Sequence, residues 1–132
     1  MVRTISILGS TGSIGVNALE VISNLKKSFK VKYLSTNKNV DLLISQIKEH
    51  NPKSVAVVDE LAAEKIKGAL DEMGIELLIG KIGLLDLSQR HDIDLVLNGL
   101  VGASGMQPTI NAIKAGVNVA LANKESLVMA GN

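Results

Sequence analysis

Gly9-Ser10-Thr11-Gly12-Ser13-Ile14-Gly15 follows Val2 to Leu8, an apolar, β-branched run that reads as a buried strand. It opens a stretch from Ser13 to Asn24 in which Ile14, Leu19, Ile22 and Leu25 fall near one face of a helix. Strand, glycine loop and helix in that order make a GxxGxxG variant of the dinucleotide-binding fingerprint. Each glycine has a physical reason. Gly9 permits the tight turn, Gly12 lets backbone approach a pyrophosphate with no Cβ in the way, and Gly15 allows close packing of the helix. The helix start offers unpaired N–H groups and about half a positive charge to such a diphosphate. Ser10, Thr11 and Ser13 add hydroxyls at the same place. A P-loop ending in Gly-Lys-Ser or Gly-Lys-Thr does not occur, so triphosphate chemistry lacks its lysine and its magnesium-binding hydroxyl.

Downstream, the unit repeats. Phe29 to Leu34 reads as a strand before a polar loop, Ser35 to Asn39, and Val40, Leu43, Ile44 and Ile47 then keep helical spacing until Asn51 and Pro52 stop them. Ser54 to Val58 is a short apolar strand, followed by a helix bearing Leu61, Ile66, Leu70 and Met73 and closed at Gly74. Glu76 to Ile79 gives another strand, Leu84 to Gln89 one or two helical turns, and Leu95 to Leu97 a further strand. A loop containing Gly99, Gly102 and Gly105 leads to a helix with Pro108 in its first turn and Gly116 at its end. Val117 to Leu121 makes the last strand, and a new helix is predicted from Ser126. Alternating units with short connections imply an α/β fold of Rossmann type, a doubly wound, mainly parallel sheet with helices on both faces. Ile5 to Leu8 should lie at its centre, with Val31 to Leu34 and Val55 to Val58 on one side and Leu95 to Leu97 and Val117 to Leu121 on the other.

The 132 residues suit one domain, 1–132, and the 46% hydrophobic but 2% aromatic composition points to a core of Val, Ile, Leu and Ala. A net charge of +1 gives no electrostatic case for nucleic acid or an anionic membrane as partner. With no cysteine, disulfides, thiolate zinc sites and cysteine nucleophiles are excluded. His50 and His91 read as solvated helix-end residues. The apolar run before Gly9 is too brief for a signal peptide or membrane span, so a cytoplasmic location is expected.

Coenzyme choice is made at the end of the second strand, where an NAD-specific domain places an acid on the adenosine 2′-hydroxyl. No acid occurs between Glu20 and Asp41, and Ser35, Thr36, Asn37, Lys38 and Asn39 stand there instead. Lys38 can pair with a 2′-phosphate and the asparagines can donate to it, which predicts NADPH. The competing reading makes Lys38 a solvated loop residue before a helix capped by Asn39. Asn123, Lys124 and Glu125 form a second cluster, because a lysine at a helix start opposes the dipole unless an anion compensates it.

GSTGSIG at 9–15, TNKNV at 36–40, NGLVGASG at 98–105 and LANKESLV at 121–128 together resemble the 1-deoxy-D-xylulose 5-phosphate reductoisomerase family along the whole chain. The resemblance implies an NADPH-dependent oxidoreductase and isomerase that converts 1-deoxy-D-xylulose 5-phosphate to 2-C-methyl-D-erythritol 4-phosphate on the methylerythritol phosphate route to isoprenoid precursors. It also implies Mg or Mn orienting substrate oxygens, a phosphorylated sugar as substrate and a homodimeric full-length enzyme. Carried over by position, Gly9, Thr11, Gly12, Ser13, Ile14 and Gly15 would hold the coenzyme, Asn37, Lys38 and Asn39 would surround its 2′-phosphate, Asn123 and Glu125 would hold the nicotinamide half, and Lys124 would reach substrate. Asn37 departs from the family, which usually has glycine there; Asn tolerates a left-handed backbone better than most residues. The family's metal-binding carboxylates and substrate-phosphate site would lie beyond Asn132. The chain is therefore expected to be an N-terminal portion that binds NADPH without turning over substrate.

Two other readings compete. A short-chain dehydrogenase needs a tyrosine with lysine four residues later, whereas Tyr33, the only tyrosine, has Asn37 at that spacing. A stand-alone nucleotide-sensing regulatory module would be complete at this length, but gives no reason for Asn123, Lys124 and Glu125 to cluster.

Overall fold

Ile5, Ser6, Ile7 and Leu8 are all buried, so the first strand is covered on both faces, as its nearly unbroken apolar run requires. In the computed structural model the described residues are 2–100 together with the strands Asn118–Ala122 and Leu127–Ala130. In chain order they form β1 (Arg3–Leu8), α1 (Ser13–Ser23), β2 (Phe29–Thr36), α2 (Val40–His50), β3 (Ser54–Val57), α3 (Glu60–Met73), β4 (Glu76–Ile79), α4 (Gly80–Ser88), β5 (Leu95–Asn98), β6 (Asn118–Ala122) and β7 (Leu127–Ala130). The sheet order is β4-β3-β2-β1-β5-β6-β7. Every adjacent pair is parallel except β6 with β7.

The steps from β1 to β4 all move in one direction, so right-handed crossovers place α1, α2 and α3 on one face. The connection from β4 travels back across β1 to β5 and places α4 on the other. Side-chain packing agrees. Leu19, Ile22, Leu43, Ile47, Ala63 and Leu70 pack with Ile5, Ile7, Val55 and Val57, whereas Leu84 and Leu87 of α4 pack with Leu8, Tyr33, Ala56 and Val96. The expected α/β doubly wound fold is thus present, and β1 is the strand at which the winding reverses.

Several boundaries differ from the sequence expectation. Ser35 and Thr36 belong to β2 rather than to a loop, since they pair with Ala56 and Val57 and are buried. Leu61 is 78% exposed, and α3 is seated instead by Ala62, Ala63, Ile66 and Leu70. The helix expected from Ser126 is corrected to strand β7 over Leu127–Ala130. A four-residue apolar run cannot tell period 2 from period 3.6, and the edge of β6 offers it backbone partners. The glycines at 102 and 105 and the helix expected between Pro108 and Gly116 lie outside the described residues.

At the opposite edge of the sheet, polar side chains tie α4 and the start of β5 to the strands. The Tyr33 hydroxyl donates to the Asp92 carboxylate at 2.8 Å, and Lys32 bonds the same carboxylate at 2.7 Å. Burial and then the adjoining carboxylate push the Tyr33 phenol above its ordinary value. Arg90 donates to Glu76 at 2.8 Å and, with Ser54, holds that carboxyl below its ordinary range. His50 is corrected from a solvated residue: its side chain is 5% exposed, and that burial lowers its basicity.

On the α4 side of the central strand the Ser6 hydroxyl is buried, with no hydrogen-bond partner among the described residues. Leaving such a group unmade costs about 1–3 kcal/mol. Ser6→Ala is therefore expected to stabilise the fold by about 1 kcal/mol in urea unfolding; a loss of similar size would show that the hydroxyl is satisfied.

Candidate coenzyme site

Parallel pairing brings the loops after β1, β2, β3 and β5 to one edge of the sheet. At its centre Gly9 turns with φ of +75°, and a side chain there would press on Leu100 at 3.1 Å. Gly15 has no room at all. A Cβ on it would stand 2.4 Å from the Gly9 carbonyl oxygen and 2.6 Å from the Ser10 Cα. What Gly15 packs against is the backbone of the turn itself, so α1 is drawn onto the end of β1.

Gly12 is different. Its backbone is ordinary extended (φ −77°, ψ 170°), and among the described residues a Cβ would meet only the Gly9 oxygen at 3.6 Å, an ordinary contact. The fold itself does not require glycine there. Gly12 is also the N-cap of α1, with no side-chain hydrogen bond to the first turn and no acid within it. An exposed, uncapped helix start carries N–H groups and a partial positive charge toward an anion.

The hydroxyls of the loop divide into two roles. Ser10, expected as a phosphate donor, is buried: its Oγ lies 2.8 Å from Gln46 Oε1 and 3.1 Å from the Ser35 carbonyl oxygen. Ser13 is exposed and Thr11 half-buried at the edge. The Thr11 and Thr36 hydroxyls pair at 2.6 Å. Either hydroxyl can donate in this pair; with Thr36 as donor the Thr11 proton is free to point outward.

Asn37, Lys38 and Asn39 are all exposed beside this loop, so the structure brings the 9–15 and 37–39 clusters together. Asn39 caps α2, its Oδ1 accepting from Leu42 N–H at 3.2 Å, which leaves its amide NH₂ as a donor. Asp59, which the residues at the second strand's end do not announce, adjoins them: its N–H bonds the Asn37 carbonyl oxygen at 3.0 Å, and its carboxylate caps α3 through Ala62 N–H at 3.0 Å. An Asp immediately before a helical run was the available signal. Asn123, Lys124 and Glu125 lie outside the described residues. Among the described residues, two concavities lie away from this edge. One of about 450 Å³ sits at the opposite edge by Lys30, Lys32 and Lys53, and one of about 470 Å³ lies between α1 and α2.

The family model described as 1-deoxy-D-xylulose 5-phosphate reductoisomerase matches residues 5–131. The chain belongs to that family. It is 46% identical over 129 residues to the reductoisomerase of Chloroherpeton thalassium and 49% identical over 129 residues to that of Caldanaerobacter subterraneus, covering 98% of this chain and 33% of each relative. The chain thus spans about a third of the length of these curated relatives. Among solved structures, the Zymomonas mobilis reductoisomerase in complex with NADPH superposes with a TM-score of 0.86 at 33% identity, over 96% of this chain and 33% of that one. A reductoisomerase in complex with NADPH, fosmidomycin and magnesium gives 0.83 at 30% identity, over 95% of this chain and 31% of its own.

The two glycines make opposite stability predictions. Gly15→Ala is expected to cost at least about 2 kcal/mol, because the new methyl overlaps backbone that cannot step aside. Gly12→Ala should cost under about 1 kcal/mol, the difference between glycine and alanine at an N-cap. Chemical denaturation of both variants checks this, and equal losses would refute the separation of structural from ligand-facing glycine.

Proposed function

We propose that this chain is the NADPH-binding portion of a 1-deoxy-D-xylulose 5-phosphate reductoisomerase. One observation carries the reading: Gly12 is a glycine the fold does not need, placed at an uncapped helix start where the winding of the sheet reverses. Open α/β sheets bind ligands in that crevice. The residues fit a pyrophosphate. Backbone N–H groups of Thr11, Ser13 and Ile14 are available to it, with Thr11 and Ser13 hydroxyls in support, while the Gly12 N–H donates to the Gly9 carbonyl oxygen at 3.2 Å and, with Gly9 and Gly15, keeps the turn closed.

The 2′-phosphate falls to Lys38, the Asn39 amide and the backbone of Asn37. Lys38 is the only cation among residues 35–39, and Asp59, the nearest acid in the bonding pattern, is engaged in capping α3. Asn123 and Glu125 are proposed to hold the nicotinamide half and Lys124 to reach the phosphorylated sugar. When bound, NADPH supplies the hydride that reduces the rearranged aldehyde. Magnesium or manganese and most of the substrate contacts are assigned to the two thirds of the family's length that this chain does not span. Among the described residues no three His, Asp or Glu side chains converge to hold a metal. Substrate turnover is accordingly expected of the full-length enzyme and not of these 132 residues alone.

Calorimetric titration tests the coenzyme reading. The chain should bind NADPH more tightly than NADH. Lys38→Glu should weaken NADPH by roughly tenfold to a hundredfold, the worth of one charge-assisted contact, with little change for NADH. An unchanged NADPH to NADH ratio would remove Lys38 from the site, and no heat with either coenzyme would overturn the proposal.

A further inference from the structure

The geometry points to Gln46 as a positioning residue that couples the two phosphate-facing loops into one rigid receptor. This inference rests on the coenzyme reading above. Gln46 is a 7% exposed amide on the inner face of α2. Its Nε2 donates to the Ser10 carbonyl oxygen at 2.8 Å, and its Oε1 accepts from the Ser10 hydroxyl at 2.8 Å. Ser10 N–H in turn donates to the Ser35 carbonyl oxygen at 2.8 Å, and Gly9 N–H to Ser35 Oγ at 2.8 Å. The Gly9–Ser10 turn is therefore gripped from two sides, by the end of β2 and by α2.

Those are the two elements that residues 37–39 connect. Fixing both to one turn fixes the distance between the pyrophosphate loop and the 2′-phosphate loop. A coenzyme carrying both groups engages the loops together, so a preset spacing removes an ordering cost that a ligand of one loop never meets. The pair also explains the residue type. Ser10 presents one acceptor and one donor, and a carboxamide answers both, whereas a carboxylate offers acceptors only and a hydrocarbon neither.

The test compares a ligand of both loops with a ligand of one. Wild type, Gln46→Met and Ser10→Ala are titrated with NADPH and with adenosine 2′-monophosphate, and their folding is followed by circular dichroism. Gln46→Met keeps the side-chain bulk and is expected to weaken NADPH by about tenfold or more, two buried hydrogen bonds being lost, while adenosine 2′-monophosphate changes by less than about threefold. Ser10→Ala, which removes only the hydroxyl, should show the same selectivity at smaller size and serves alone if Gln46→Met does not fold. Equal weakening of both ligands, or unchanged NADPH affinity, would overturn the coupling while leaving the coenzyme site intact. Absence of NADPH binding by wild type would instead overturn the coenzyme reading and take the coupling with it.

Discussion

The contact on which the rest depends is the closure of α1 onto the backbone of Gly9 and Ser10. At that point an added methyl on Gly15 would stand 2.4 Å from a carbonyl oxygen. No side chain mediates it. Because the helix is seated on the turn itself, its first N–H groups emerge directly above the end of the central strand, and their direction is set by backbone rather than by rotamers. The turn is then held from below by Ser35 and Gln46. A fixed set of donors loses little freedom when an anion arrives, which is the condition for strong binding by neutral amides.

The winding of the sheet supplies the second half of the arrangement. With β2 beside β1 on one side and β6 beside β5 on the other, the chain steps onward from the neighbouring strands β1 and β5 in opposite directions. The crevice there is bounded by the glycine loop, the loop after β2 and the turn at Gly99 and Leu100. Shape alone would not mark this edge, since concavities of several hundred Å³ occur elsewhere. The lysine-lined one at the opposite edge has Lys32 already paired with Asp92 and lies at the strand starts.

How much of this was legible from residues alone varies with how local the physics is. The glycine loop was readable because a turn, a helix start and a close approach each demand glycine within seven residues. The sheet order followed because repeated strand and helix units leave few alternatives. Ser35 and Thr36 looked like loop because their polar groups are satisfied by Gly9, Ser10 and Thr11, partners distant in sequence. His50 looked solvated, yet Leu43, Gln46, Ile47 and His50 stand at i, i+3, i+4 and i+7, and that spacing was the signal of burial. Ser10 was assigned to the ligand when its hydroxyl is used inside the fold, a distinction no single-window pattern carries. The strand at Leu127–Ala130 depends on a neighbouring edge rather than on its own period.

The most direct measurement is titration of the ¹⁵N-labelled chain with NADPH, followed amide by amide. The largest shifts are expected at Thr11, Gly12, Ser13 and Ile14, with a second group at Asn37, Lys38 and Asn39 moving on the same binding curve. Shifts centred instead on Lys30, Lys32 and Lys53, or a glycine loop that stays still while NADPH saturates, would contradict the placement of the coenzyme at the start of α1.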